Sequence, residues 1–208
     1  MNAHTERRQC QGPAGQISVL LDSPAAGHAF KGVAVIAHPH PLFGGTMDNK
    51  VVQTIARAFV QEGWQAVRFN FRSVGDSAGS YDEGRGETQD MLAVVGQFVG
   101  TGPIALAGFS FGAYVASHVV ARLHPIRAIE KIVLVGAATS RFEVAPVSPD
   151  LHERTLIVHG EADDTVPLAS VMDWARPQVL PVTVVPAGGH FFHGQLPLLK
   201  GLVVRHLA

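Results

Sequence analysis

Apolar residues recur along the chain with two distinct periods, and the two alternate. Gly32–Ala37 is β-branched and apolar on both faces, as a strand inside a parallel sheet must be. The stretches 64–71, 131–137, 155–159 and 182–185 read the same way, and an apolar run opening at Pro103 adds another strand. Between them, apolar positions return at helical spacing over 49–62, 90–99, 113–122, 168–177 and 194–207. Asp48 or Asn49 can cap the first of these helices and Gly63 can end it. Glu87 and Asp90 lie near the start of the second, where the helix dipole favours acids. Residues 4–22 predict two short strands around the turn Gly12-Pro13-Ala14-Gly15, with 22–31 a loop. Strands alternating with helices predict an α/β protein with a mostly parallel sheet of about seven to eight strands. No repeat or low-complexity tract divides the chain, so 1–208 is expected to form a single domain.

The chemistry gathers where the predicted strands end. After Pro103-Ile104-Ala105-Leu106-Ala107 the chain reads Gly108-Phe109-Ser110-Phe111-Gly112, and a helical stretch follows at once. Strand, G-x-S-x-G and helix are the context of a nucleophile elbow. So sharp a turn strains the serine and brings helix and strand so close that only glycine fits two positions either side of it. Further on, Gly160-Glu161-Ala162-Asp163-Asp164 puts two aspartates past the end of a buried strand, where open parallel sheets build their sites. Gly188-Gly189-His190-Phe191-Phe192-His193 then places histidines after the last strand. Serine, aspartate and histidine in that order, each at a strand end, follow the chain order of the α/β-hydrolase triad.

Composition narrows the setting. The chain is 47% hydrophobic and 16% charged, which fits a globular protein with a large core. A net charge of −1 makes no electrostatic case for binding nucleic acid or an anionic membrane surface. Cys10 is the only cysteine, so no internal disulfide forms, and a reducing compartment fits. Residues 1–16 are polar with no apolar core of a secretory signal, and no apolar run approaches the ~20 residues of a membrane span. A cytoplasmic location without membrane association is therefore expected. His38 and His40 stand close together, but no acidic or cysteine neighbour completes a metal set.

Several stretches, spread over almost the whole chain, carry a family likeness. They are His38-Pro39 through Gly44-Gly45 with Asn49-Lys50-Val51-Val52, then Phe69-Asn70-Phe71-Arg72-Ser73-Val74-Gly75. The elbow at Ser110, Gly160-Glu161-Ala162-Asp163 and Gly189-His190-Phe191-Phe192 complete the set. The sequence resembles the α/β-hydrolase superfamily, and within it the compact, lidless branch close to carboxylesterases and dienelactone-hydrolase-like proteins. The resemblance implies an α/β-hydrolase fold with Ser110 as nucleophile, Asp163 as acid and His190 as base. The family's Gly-x-x-Asp spacing from Gly160 selects Asp163 and leaves Asp164 to cap the following helix. His193 would lie where the next helix has begun. Dienelactone hydrolases proper carry cysteine at the nucleophile, and the serine here sets this chain apart from them.

An oxyanion hole needs two N–H donors, one from Phe111 and one from the loop after the third strand. Prolines have no N–H to give, which leaves His40 or Leu42 in His38-Pro39-His40-Pro41-Leu42. By the resemblance the donor lies two residues past the strand-end histidine, at His40. Arg72 is expected to make structural hydrogen bonds to neighbouring loops rather than to bind substrate. The interval 136–154 is too short and too proline-broken for a lid, so the site should be an open cleft bordered by Phe43, Phe111 and Tyr81. The expected activity is hydrolysis of a small-molecule ester or thioester, with no metal or organic cofactor. The alternatives are an amide hydrolase or peptidase with the same triad, or a hydrolase-fold protein that binds without turnover.

Overall fold

The computed structural model describes residues 5–25, 27 and 29–208. His4, where the first predicted strand begins, and Ala26 and His28 of the loop at 22–31 lie outside the described residues. The strands β1 (Thr5–Gly12), β2 (Gly15–Asp22), β3 (Gly32–Ala37), β4 (Trp64–Phe69), β5 (Ile104–Phe109), β6 (Lys131–Val135), β7 (Thr155–Gly160) and β8 (Thr183–Val185) join in one sheet. Its order is β1-β2-β4-β3-β5-β6-β7-β8. The hairpin β1–β2 is antiparallel, and β2 meets β4 antiparallel; every pairing from β4 onward is parallel.

Every residue of β3 and β5 is buried, because helices cover both faces of the sheet there. The helices are α1 (Lys50–Gln61), α2 (Arg85–Phe98), α3 (Phe111–Leu123), α4 (Leu168–Ala175) and α5 (Leu196–Leu207). Val35 and Leu106 share one apolar layer with Met91 and Val94 of α2, Val115 and Val119 of α3, and Val171 of α4. Ile36, Ala107 and Phe109 point the other way, onto Ile55 and Phe59 of α1 and Leu199 and Val203 of α5. Asn49 caps α1, its Oδ1 accepting from the N–H of Val51 at 2.9 Å. No cap domain interrupts 136–154, which holds a loop and the 3-10 turn Pro149–Arg154. No helix among the described residues is long and apolar enough to cross a membrane.

Element ends differ from expectation for identifiable reasons. β4 stops at Phe69 instead of 71, because the Phe71 N–H is taken by the His38 imidazole. β6 likewise ends at Val135, two residues early, before Gly136 at φ 53°. α2 starts at Arg85 rather than 90: the Glu87 carboxylate reaches back to accept from the N–H groups of Gly84 at 2.8 Å and Asp82 at 3.0 Å. Its first turn contains Gly86, where a Cβ would collide with the Arg72 guanidinium, so no apolar period marks it. Arg72 forks onto Asp90 at 2.8 and 2.9 Å, structural hydrogen bonds as expected of it, but to helix α2 and not to a neighbouring loop. α4 turns 3-10 at Arg176, ahead of Pro177, and α5 begins at Leu196 rather than 194, so His193 precedes the helix.

His38 joins the ends of β3 and β4. Its Nδ1–H donates to the Pro39 carbonyl at 2.6 Å and its Nε2 accepts from the Phe71 N–H at 3.0 Å. Acceptance at Nε2 requires the neutral ring, and burial outweighs the Pro39 bond and pushes the pKa down to about 4. An unfolded histidine titrates near ~6.5, so between pH 4 and 6.5 the unfolded chain binds the extra proton, and stability falls as pH drops. Full loss of this contribution is worth about 3 kcal/mol. His38→Gln, whose amide can still accept from Phe71, should lower the slope of unfolding free energy against pH by about 1.4 kcal/mol per unit in the middle of that window. Urea denaturation at several pH values checks this, and parallel curves for the two proteins would count against it.

Candidate active site

The site begins with a backbone constraint. β5 runs directly into α3 through Ser110, whose φ of 57° and ψ of −117° lie outside the regions an L-residue prefers. A Cβ on Gly108 would strike the carbonyl of Gly112, and one on Gly112 would strike the carbonyl of Ala37 in β3. The Ser110 N–H is anchored on the Val135 carbonyl of β6 at 2.9 Å. The side chain is thereby lifted to the C-terminal edge of the sheet, 8% exposed.

His190 arrives from the loop after β8. Its Nε2 lies 3.0 Å from Ser110 Oγ, and its Nδ1 lies 2.7 Å from Asp163 Oδ2. Phe192, fully buried below it, anchors the loop, and the Phe109 ring lies against the imidazole at 4.9 Å. Asp163 comes from the turn after β7. Its Oδ1 accepts from the N–H groups of Val166 at 2.7 Å and Thr165 at 3.0 Å, leaving Oδ2 for the histidine. Burial raises its pKa, but the hydrogen bonds from His190 and Val166 outweigh burial and hold the carboxyl below the usual range. The structure thus brings Ser110, Asp163 and His190 into one line of hydrogen bonds.

Asp163, not Asp164, makes the turn that leads into α4; among the described residues the side chain of Asp164 meets only the Thr165 hydroxyl, at 3.4 Å. The capping expected of Asp164 is not made: α4 starts after Pro167 with no side-chain cap, and Asp163, which also holds the histidine, fixes the turn ahead of it. His193 is exposed and its ring lies 5.9 Å from that of Phe191. A residue that the sequence did not single out, His159, is fully buried behind the carboxylate. It donates from Nε2 to the Val166 carbonyl at 2.8 Å, with Asp163 Oδ2 3.5 Å away. Burial lowers its pKa, so the ring stays neutral.

Beside Ser110, the N–H groups of Phe111 and His40 have no hydrogen-bond acceptor among the described residues. The Leu42 N–H donates to His40 Nδ1 at 3.2 Å, so of the two candidates in that loop only His40 keeps a free donor. Burial, then the charge of Arg141, lowers the His40 pKa and keeps that imidazole neutral as well.

Ser110 and His190 open into a cleft of about 280 Å³. Phe43, Phe111, Ala138, Phe142, Val166 and Phe191 supply apolar wall, and Arg141 is its one permanently charged residue. Phe43 and Phe111 border it as expected, but Tyr81 does not. Its ring packs behind the wall, 4.9 Å from His40 and 5.9 Å from Phe111. Arg141 and Phe142 lie in the interval 136–154, where no hydrophobic period marks a binding loop. Their position just past the end of β6 is the signal that sequence reasoning had available.

A strained serine at the end of a central parallel strand, with aspartate and histidine at later strand ends, is the arrangement of an α/β hydrolase. No protein-family model matches the chain. Solved structures do. XC6422 of Xanthomonas campestris, described as an α/β serine hydrolase without lid, is 36% identical, with a TM-score of 0.87 over 100% of this chain and 95% of that one. An α/β serine hydrolase homologue from Coxiella burnetii is 38% identical, with a TM-score of 0.85 over 100% of both chains. The uncharacterized protein RP471 of Rickettsia prowazekii is 38% identical over 115 residues, 53% of this chain. That match spans about half of the curated relative, 48% of its length. The chain belongs to the lidless branch of the α/β-hydrolase superfamily.

The acid and base loops are stitched together: Glu161 and Ala162 donate to the carbonyls of Val185 and Gly188, each at 2.9 Å. A Cβ at Gly160 would strike the Gly188 carbonyl, whereas one at Gly189 meets nothing within 4 Å. Gly160→Ala should therefore destabilise the fold by about 1–3 kcal/mol, and Gly189→Ala by less than about 0.5 kcal/mol. Chemical denaturation of the two variants reads the difference, and equal midpoints would contradict the close approach.

Proposed function

We propose that the protein is a serine hydrolase that cleaves small carboxylic esters or thioesters through an acyl-enzyme on Ser110. The observation that carries the reading is the line of hydrogen bonds at 3.0 and 2.7 Å from Ser110 through His190 to Asp163, starting at a strained elbow. The likeness to relatives described as serine hydrolases supports it. His190 Nε2 takes the serine proton as Oγ attacks the carbonyl carbon. Asp163 holds Nδ1–H, fixes the tautomer and stabilises the imidazolium. The oxyanion accepts from the N–H groups of Phe111 and His40, and such donors are worth about 2.7–4 kcal/mol each. His190 returns the proton to the leaving alkoxide or thiolate. It then deprotonates the water that releases the acid. Cys10 takes no part: its thiol is buried, and burial with the nearby Asp90 pushes its pKa up to about 11. Its lack of a disulfide partner fits a reducing compartment such as the cytoplasm.

Ser110→Ala should abolish both turnover and covalent labelling by a fluorophosphonate probe; labelling that survives at another residue would refute the assignment. Asp163→Asn should lower kcat by ~10⁴ through the wrong histidine tautomer, and Asp164→Asn far less, since its carboxylate does not reach the ring. Steady-state rates of the pair decide which aspartate acts.

Acyl length is the other test. In an open cleft a long chain leaves most of its methylenes in water, and each would have to be fully buried to yield about 0.8 kcal/mol. Activity on a graded ester series should peak at about two to six acyl carbons. A maximum at twelve or more would require a groove that the lining residues do not form.

A further inference from the structure

The cleft contains one permanent charge, and no side chain among the described residues pairs with it. Arg141 lines the cleft together with Ser110 and His190. Its backbone N–H donates to the Ala138 carbonyl at 3.1 Å, which fixes the turn, but its guanidinium makes no hydrogen bond or ion pair among the described residues. The arginines inside the fold behave differently. Arg68 pairs with Asp22 at 2.7 Å and Asp48 at 3.2 Å, and Arg72 forks onto Asp90. No aspartate or glutamate lines the cleft; Asp163 lies behind His190 with both oxygens engaged. Glu143, two residues on, forms no ion pair with Arg141.

An unpaired guanidinium amid aromatic wall presents a planar fork of N–H donors that matches a carboxylate. A ligand that fills the cleft excludes water from that fork and strengthens the attraction. A volume of about 280 Å³ suits a short acid. Resting on the reading of this cleft as a hydrolase site, we propose that Arg141 binds a carboxylate on the substrate. The natural substrate is then an ester or thioester carrying a second, anionic group, such as the half-ester of a short dicarboxylic acid.

The test compares 4-nitrophenyl hydrogen glutarate with neutral 4-nitrophenyl valerate. The ratio of their kcat/KM values should fall about three- to tenfold in Arg141→Gln. Arg141→Lys should keep part of the ratio, Arg141→Glu should drop it below that of Arg141→Gln, and added salt should shrink it in the wild type. An equal ratio in wild type and Arg141→Gln overturns the proposal while leaving the hydrolase reading intact. A second arm needs no turnover: calorimetric binding of monomethyl glutarate and methyl valerate to Ser110→Ala, with and without Arg141→Gln. Selective, Arg141-dependent binding of the half-ester, combined with no hydrolysis of either ester by the wild type, would sustain the anion subsite and sink the hydrolase reading. Equal binding of the two ligands would overturn the subsite.

Discussion

The contact on which the rest of the structure depends is the one between β5 and the first turn of α3. Two glycines let the helix start against the strand that precedes it, and side chains at either position would collide with backbone carbonyls. Because Gly112 also abuts Ala37 and Ser110 hangs from Val135, the elbow ties together β3, β5 and β6. The loops leaving β3 and β6 supply the cleft wall, so fixing the serine also fixes what faces it. The strain at Ser110 costs on the order of 1–3 kcal/mol. It is offset by burial of Val115, Ala116 and Val119 on α3, each within the central core.

The acid and base loops are fixed by a separate device. They leave neighbouring strands, β7 and β8, and bond to each other before either reaches the serine. Asp163 divides its two oxygens, one held by backbone amides and the other by the imidazole. The amide bonds make it a poor base and a firm support. They help keep the carboxylate ionised, and in the proposed reaction Nδ1 of His190 then carries the proton and leaves Nε2 to take one from serine. Buried, neutral His159 fills the space behind without adding charge.

The central strands and the order of the three polar residues were legible because each follows from a local pattern: an apolar run, then a glycine-marked turn. The resemblance then chose Asp163 over Asp164, and the amide bonds to Asp163 give that choice a physical cause. What local pattern could not show was closure by distant side chains. The end of β4 depends on the bond from the Phe71 N–H to His38, 33 positions apart in sequence, and the first turn of α2 on Glu87 and on room for Arg72. Tyr81 was misplaced for a related reason. A tyrosine on a polar loop reads as a rim residue, yet here it backs His40. Arg141 carries no periodic signal at all; only its place in the wall of the cleft distinguishes it from an ordinary surface arginine.

A cleft without a lid must limit water by other means. His40 is ringed by aromatic side chains: Phe43 at 4.7 Å, Tyr81 and Phe111 each at 4.9 Å, and Phe142 at 5.9 Å. Three of those rings also line the cleft, so the loop whose His40 N–H is the second oxyanion donor of the proposed reaction is flanked by aromatic wall before any substrate arrives. Its N–H is aimed by bonds from Phe43 and Gly45 to the His40 carbonyl, and by the Leu42 bond to its ring. Donors fixed in low-dielectric surroundings need no reorganisation as charge develops on the oxygen. In the proposed reaction this aromatic cluster does what a closing cap does elsewhere, and does so statically. Turnover then needs no closing motion, and the mouth stays open to small substrates, with Phe43 75% and Phe191 44% exposed at its edge.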